Sequence, residues 1–199
     1  MPSDVAREPV APRPHTGRRR NPAVREAVLK SAADLLAGPD GLTVSMDAIA
    51  QAAGVSKHTI YRWWPSKGAV LLEALVERAQ QETSIPRTGT LAMDVESFLV
   101  ATFDAVERVA PLFRGLMAEA LRDSKAAEGM REFVAARRQG LRALLTHGVE
   151  QGELPPETDL ELMMDQIYGL MWYHLLITHT PLTEELAVHL ARTLITSAA

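Results

Sequence analysis

Val44-Ser45-Met46-Asp47-Ala48-Ile49-Ala50-Gln51-Ala52-Ala53-Gly54-Val55-Ser56-Lys57-His58-Thr59-Ile60-Tyr61-Arg62-Trp63-Trp64-Pro65-Ser66-Lys67 decides the fold, because it gives the same start signal twice. Ser45 is spaced to cap a helix, with Val44 and Ile49 in the two positions of a hydrophobic staple. Ala50 and Ala53 continue the face to be buried. Gly54 then supplies the left-handed backbone that ends a helix tightly. Val55, Ser56 and Ile60 repeat the staple, cap and staple partner, so two short helices around a turn are predicted over 45–53 and 56–64. Pro65 ends the second by excluding Trp64 from α geometry. Ser66 caps a longer helix to about residue 81 that carries Val70, Leu71, Ala74, Leu75 and Arg78.

Upstream, Asn21-Pro22 has the cap and first-position pairing of a helix start, and Val24, Ala27, Val28, Ala32, Leu35 and Leu36 keep helical spacing until Gly38-Pro39. Residues 1–20 hold Pro2, Pro9, Pro12 and Pro14 without apolar periodicity and end in Arg18-Arg19-Arg20, the composition of a disordered basic tail. Downstream, Ile85-Pro86-Arg87-Thr88-Gly89 breaks the pattern and divides the chain into units at 21–84 and 85–199. The second unit reads as helices at about 91–109, 111–122, 126–151, 158–179 and 183–196, punctuated by Pro111, the Ser124 region, Gly152 to Pro156 and Pro181. Thr158-Asp159-Leu160-Glu161 has capping-box spacing. No alternating strand pattern competes, so the fold class is all-α.

The chain has 199 residues, 47% hydrophobic and 23% charged, enough for a core that needs no staples. With 0 Cys, disulfides, thiolate metal sites and cysteine nucleophiles are excluded. There is neither a run of about eighteen apolar residues nor an N-terminal signal segment, so no membrane association is expected and the cytoplasm is the expected compartment. The net charge of −4 argues on average against a nucleic-acid partner. The average conceals a split. Residues 1–80 carry 11 basic against 8 acidic side chains, and residues 81–199 carry 10 against 17. One half is suited to a polyanion and the other to something else.

On the 56–64 helix, Ile60 and Trp64 lie four apart on the face that packs, leaving Lys57, His58, Thr59, Tyr61, Arg62 and Trp63 to point elsewhere. Lys57 and Lys67 sit at or beside helix starts, where the dipole disfavours a cation by roughly 0.3 to 1 kcal/mol unless an anion is near. Phosphate is the natural ligand for such ends, which also offer free backbone N–H groups. A helix of this kind suits the major groove of double-stranded DNA. The alternative from residue types alone is a surface helix pair whose charges are simply solvated.

Ile49 through Lys67 resembles the DNA-binding signature of the tetracycline-repressor (TetR) family of bacterial transcriptional regulators, with the match running over roughly residues 22–80. The carrying pattern is Ala53-Gly54-Val55-Ser56, Ile60-Tyr61, the bulky Trp63-Trp64 and Ser66-Lys67. By that resemblance Ser45, Ser56, Tyr61, Trp63 and Lys67 map onto phosphate contacts. Lys57, His58, Thr59 and Arg62 map onto the groove-facing surface, and Ile60 and Trp64 onto core. Trp63 stands where the family often has His, and His58 where it often has a small residue. The resemblance also implies an operator as partner and a C-terminal helical unit that binds a small-molecule effector and dimerises.

Residues 160–177 support that implication independently, since Leu160, Leu162, Met163, Met164, Ile167, Tyr168, Leu170, Met171, Trp172, Leu175, Leu176 and Ile177 wrap nearly the whole helix. One side can face the chain's own core and the other a second copy. Leu186, Leu190, Leu194 and Ile195 extend the surface, which predicts a homodimer through the last two helices. A monomer core helix is the alternative. Phe103, Phe113, Met117, Met164, Tyr168 and Trp172 are candidates to line an effector pocket, although residues at this spacing also serve as plain core. His147, His174 and His179 lack the spacing of a metal site, and Arg137 and Arg138 are candidates to meet an anionic effector, although an exposed helix face explains them more simply. No cofactor is implied. Hydrolase, metalloprotease, P-loop and dinucleotide motifs are all absent, so no enzyme is expected. The resulting reading is an effector-released repressor. Its rivals are a DNA-binding regulator without an effector and a helical small-molecule-binding or catalytic protein.

Overall fold

The computed structural model describes residues 21–39, 41–79 and 89–198; the basic tail at 1–20 and the break at 85–88 lie outside the described residues. Among the described residues every regular element is helical, so the fold is all-α. Asn21 starts α1 (Pro22–Ala37) by accepting the Ala23 N–H at 3.1 Å, and the chain then turns through a short 3-10 stretch, Gly41–Thr43. The short pair follows as α2 (Met46–Ala52) and α3 (Lys57–Tyr61), then α4 (Lys67–Ala79). The second half holds α5 (Leu91–Ala120), α6 (Ser124–Glu150), α7 (Leu160–Tyr173), a π turn (His174–Thr178) and α8 (Glu184–Ala198).

Three details depart from the sequence reading. The short helix ends at Tyr61, and only Arg62 and Trp63 continue it as turn, because Pro65 restricts Trp64. Pro111 does not divide two helices but lies inside the single helix α5. An interior proline costs about 3 kcal/mol through its missing hydrogen bond and its ring clash. Burial of Val109, Leu112 and Phe113 around it offsets that cost, each buried apolar side chain of this size contributing about 1.5 to 3 kcal/mol. The predicted 158–179 helix is capped by Asp159, whose carboxylate accepts the Leu162 N–H at 3.0 Å, and not by Thr158. It also changes to π geometry at His174 and ends with His179 in the left-handed region at φ 52°.

Helix α5 is the spine, packing against α1, α4, α6 and α8. The core is continuous from Ile49, Ile60, Trp64, Leu71 and Leu75 in the first half to Leu99, Phe103, Leu112, Leu116, Leu141 and Leu145 in the second. Midway along α5, Glu107 accepts the Leu182 N–H at 2.8 Å and Arg114 donates to the Leu175 carbonyl at 3.1 Å, so two α5 side chains hold the turn between α7 and α8.

Candidate nucleic-acid interface

The α2–α3 unit is fixed by local hydrogen bonds. Ser45 Oγ accepts the Ala48 N–H at 3.2 Å, and Ser56 Oγ accepts the Thr59 N–H at 3.1 Å while sharing a 2.9 Å bond with the Thr59 hydroxyl. Such caps contribute about 1 kcal/mol each. Gly54, at φ 65°, turns the chain, and the Val55 N–H reaches the Ala50 carbonyl at 3.0 Å as the Gly54 N–H reaches that of Gln51 at 3.2 Å. This six-to-one and five-to-two pairing closes α2 with its last carbonyls satisfied.

The arrangement commits Ile60 and Trp64 to the core and leaves Lys57, His58, Tyr61 and Arg62 exposed, with Thr59 and Trp63 half-buried. Tyr61 is 46% exposed, which leaves its ring face and hydroxyl open on this side of α3. The Arg62 guanidinium lies 4.9 Å from the Trp63 ring centroid, which fixes the direction of a flexible side chain. Lys57 is held similarly, 2.9 Å from Asp47 Oδ2 and 5.9 Å from the Tyr61 ring centroid. The hydrogen bond it donates to Asp47 keeps its ammonium above the usual lysine range, so it is charged at any physiological pH.

Behind this face, the Trp64 indole N–H donates to Glu73 Oε2 at 2.7 Å, and Glu73 Oε1 accepts from Arg25 Nε at 2.6 Å. Arg25 also reaches Glu77 at 3.0 Å, so α1, α4 and the end of the recognition segment are pinned together. Lys67 stands beside the α2 start, its Nζ donating to the Val44 carbonyl at 2.7 Å, which brings two phosphate candidates, Ser45 and Lys67, to one place. The same ammonium is 2.9 Å from Glu119 Oε1 on α5. Asp47, Glu73 and Glu119 are thus positioning residues absent from the sequence reading. Asp47 was visible as an acid in a first helical turn, but the other two act across long sequence separations.

The effector candidates are only partly gathered. Phe113 meets Trp172 edge to face at 5.5 Å and Phe133 at 5.8 Å, while Met164 and Tyr168 are buried on α7 and Met117 is half-buried. Phe103 is buried ten residues earlier on α5, about 15 Å along the axis from Phe113. The Tyr168 hydroxyl donates to the Arg137 carbonyl at 3.2 Å, and burial pushes its phenol up to about 12, against the opposing pull of Arg138 and Arg137. Arg138 is paired with Asp165 at 2.7 Å and Glu161 at 3.1 Å, and Arg142 also pairs with Glu161. Arg142 and then Arg138 hold the Glu161 carboxyl below the usual range. A cleft of roughly 490 Å³ lies between α1 and the end of α2, lined by Ala27, Lys30, Ser31, Asp34, Leu35, Ala52 and Ala53. Among the described residues no cluster of three or more acidic or histidine side chains gathers as a metal site, and no helix is long and apolar enough to cross a membrane.

On α7 and the π turn, Leu162, Tyr173 and Ile177 are 55%, 55% and 67% exposed. Leu170, Leu186, Leu190 and Ile195 are half-buried, whereas Leu194 is already buried within its own chain.

Comparison with known proteins gives these features a common setting. Residues 28–74 match the family described as bacterial regulatory proteins, tetR family, and residues 85–194 match the tetracyclin repressor-like C-terminal domain. The HTH-type transcriptional regulator YdeS of Bacillus subtilis is 36% identical over 165 residues, covering 81% of this chain and 83% of that protein. Among solved structures, the TetR family transcription regulator SCO0332 is 29% identical with a TM-score of 0.64, over 88% of this chain and 98% of that one. FadR from Bacillus subtilis, solved in complex with stearoyl-CoA, shares the fold at 19% identity and a TM-score of 0.67, over 90% of this chain and 100% of that one. The chain belongs to the TetR family of bacterial helix-turn-helix transcriptional regulators.

Proposed function

We propose that this protein is a cytoplasmic, non-enzymatic repressor that binds its operator as a homodimer and is released by a small-molecule effector. The observation that carries the DNA half is the exposed donor and aromatic face of α3, held in place by caps, by Asp47 and by stacking on Trp63. In this reading Lys57, His58, Thr59 and Arg62 face the groove, and Ser45, Ser56, Tyr61, Trp63 and Lys67 meet phosphates. The exposed apolar face of α7 and the π turn supports dimerisation through α7 and α8, which sets the spacing of two recognition helices. The effector site is assigned to Phe113, Met117, Met164, Tyr168 and Trp172, with Phe103 at its far end. Its aromatic and methionine walls suit an apolar or amphipathic ligand. An effector favouring a dimer with altered helix spacing lowers operator affinity by its differential affinity for the two states.

The test is selection of bound fragments from the source genome, followed by salt titration of the enriched duplex. The reading predicts a sequence preference over scrambled DNA and a log-log salt slope near −0.9 for each phosphate neutralised. Recovery of no preferred fragment, with a slope near zero, would refute it.

A further inference from the structure

Lys67 is held by acceptors from both halves of the chain. Its Nζ donates to the Val44 carbonyl at 2.7 Å, one residue before the Ser45 cap, and lies 2.9 Å from Glu119 Oε1 in the last turn of α5. Both side chains are only 18% exposed, so the pair is shielded from water and salt more than a surface pair is. The backbone around it is tightly seated. A Cβ on Gly68 would fall 2.6 Å from the Ala126 Cβ, so the first turn of α4 rests directly on the first turns of α6.

We propose that Glu119 competes with a DNA phosphate for the Lys67 ammonium, so that DNA engagement exchanges a carboxylate partner for a phosphate and Glu119 limits the affinity. This rests on the reading of Lys67 as a phosphate contact. The Val44 carbonyl is neutral and can stay bonded in both states, keeping Nζ at the α2 start. Glu119 opposes the phosphate, since its charge already offsets that of the ammonium and repels a second anion arriving there. The opposition falls if its carboxylate swings aside or α5 moves. Helix α5 also carries Glu107 and Arg114, which hold the turn between α7 and α8, so a displacement of that turn changes the reach of Glu119. Glu119 is a positioning residue acting on DNA through Lys67.

The experiment is fluorescence anisotropy of a labelled mixed-sequence duplex with the full chain at low salt, using wild type, Glu119→Gln, Lys67→Met and the double variant. Glu119→Gln keeps the shape and removes the charge, and should tighten binding roughly threefold to fivefold, the upper range for a pair of this kind. In the Lys67→Met background the same change should do nothing. Equal tightening in both backgrounds would reveal a general charge effect and overturn the proposal. Unchanged or weakened binding by Glu119→Gln, with wild-type binding intact, would overturn it too. If Glu119→Gln does not fold, Glu119→Asp, which keeps the charge but shortens the reach, should tighten binding in the same direction. A wild-type chain that binds no duplex would instead overturn the DNA-binding reading, and this proposal with it.

Discussion

The α3 face and the α7–α8 face both leave outside side chains that the single chain does not pack, but in opposite chemistry. On α3 the side chains left outside are Lys57, His58, Tyr61 and Arg62, donors and an aromatic held in place by Asp47 and Trp63. On α7 and the turn after it they are Leu162, Tyr173 and Ile177, with Leu170, Leu186 and Leu190 partly open beside them. Folding of the single chain needs neither set. Pre-positioned cations suit a polyanion, whereas an apolar strip suits another apolar strip.

The largest effect should come from breaking the apolar face. Leu190 is half-buried, so Leu190→Arg can be accommodated by the isolated chain but not across a dimer contact. Sedimentation should show a monomer, and operator affinity should fall by about 100-fold or more as the two half-sites lose their linkage. A stable dimer with full affinity would move the interface elsewhere. Leu194 is a poorer choice, because its burial within the chain makes loss of folding and loss of dimer indistinguishable.

On the polar face, Arg62→Ala should weaken binding of the preferred operator by about 1 to 3 kcal/mol and relax preference at one base pair. Equal loss on every sequence, measured by competition binding, would make Arg62 a backbone anchor. The smallest effect concerns whether the second half is sealed. Below pH 10 the Tyr168 phenol is neutral in both folded and unfolded chains. Above it the unfolded phenol ionises while the folded one stays protonated up to about 12, so stability falls as pH rises across that interval. Tyr168→Phe should flatten that fall in denaturant titrations. An unaltered pH profile would mean that water already reaches the phenol, as in an open pocket.

The α2–α3 unit was legible because its signals are local. A cap and a staple within six residues start each helix, a glycine ends the first and a proline the second, and Ser45, Ser56 and Gly54 act as their spacing requires. Pro111 was misread for the opposite reason. Its local cost is real, but the burial that offsets it comes from helices distant in sequence. The cap at Asp159 lies one residue past Thr158, and the π turn at His174 falls where Arg114, distant in sequence, bonds the Leu175 carbonyl. In the site, the exposed face could be read from periodicity, whereas the partner of Lys67 could not. Glu119 lies 52 positions further on, and no spacing rule links the end of one helix to the start of another across a domain. The effector candidates suffer similarly, since helical spacing identifies a buried face but not which buried faces meet.

The central claim is that two copies of the α3 face, spaced by the α7–α8 contact, read DNA together. Hydroxyl-radical footprinting of the wild-type protein on its enriched genomic fragment tests it most directly. The account predicts two protected patches on one face of the duplex, related by two-fold symmetry and centred about 34 Å or a multiple of that apart. Arg62→Ala should weaken both patches equally. A single patch without symmetry, or protection that Arg62→Ala leaves untouched, would contradict it.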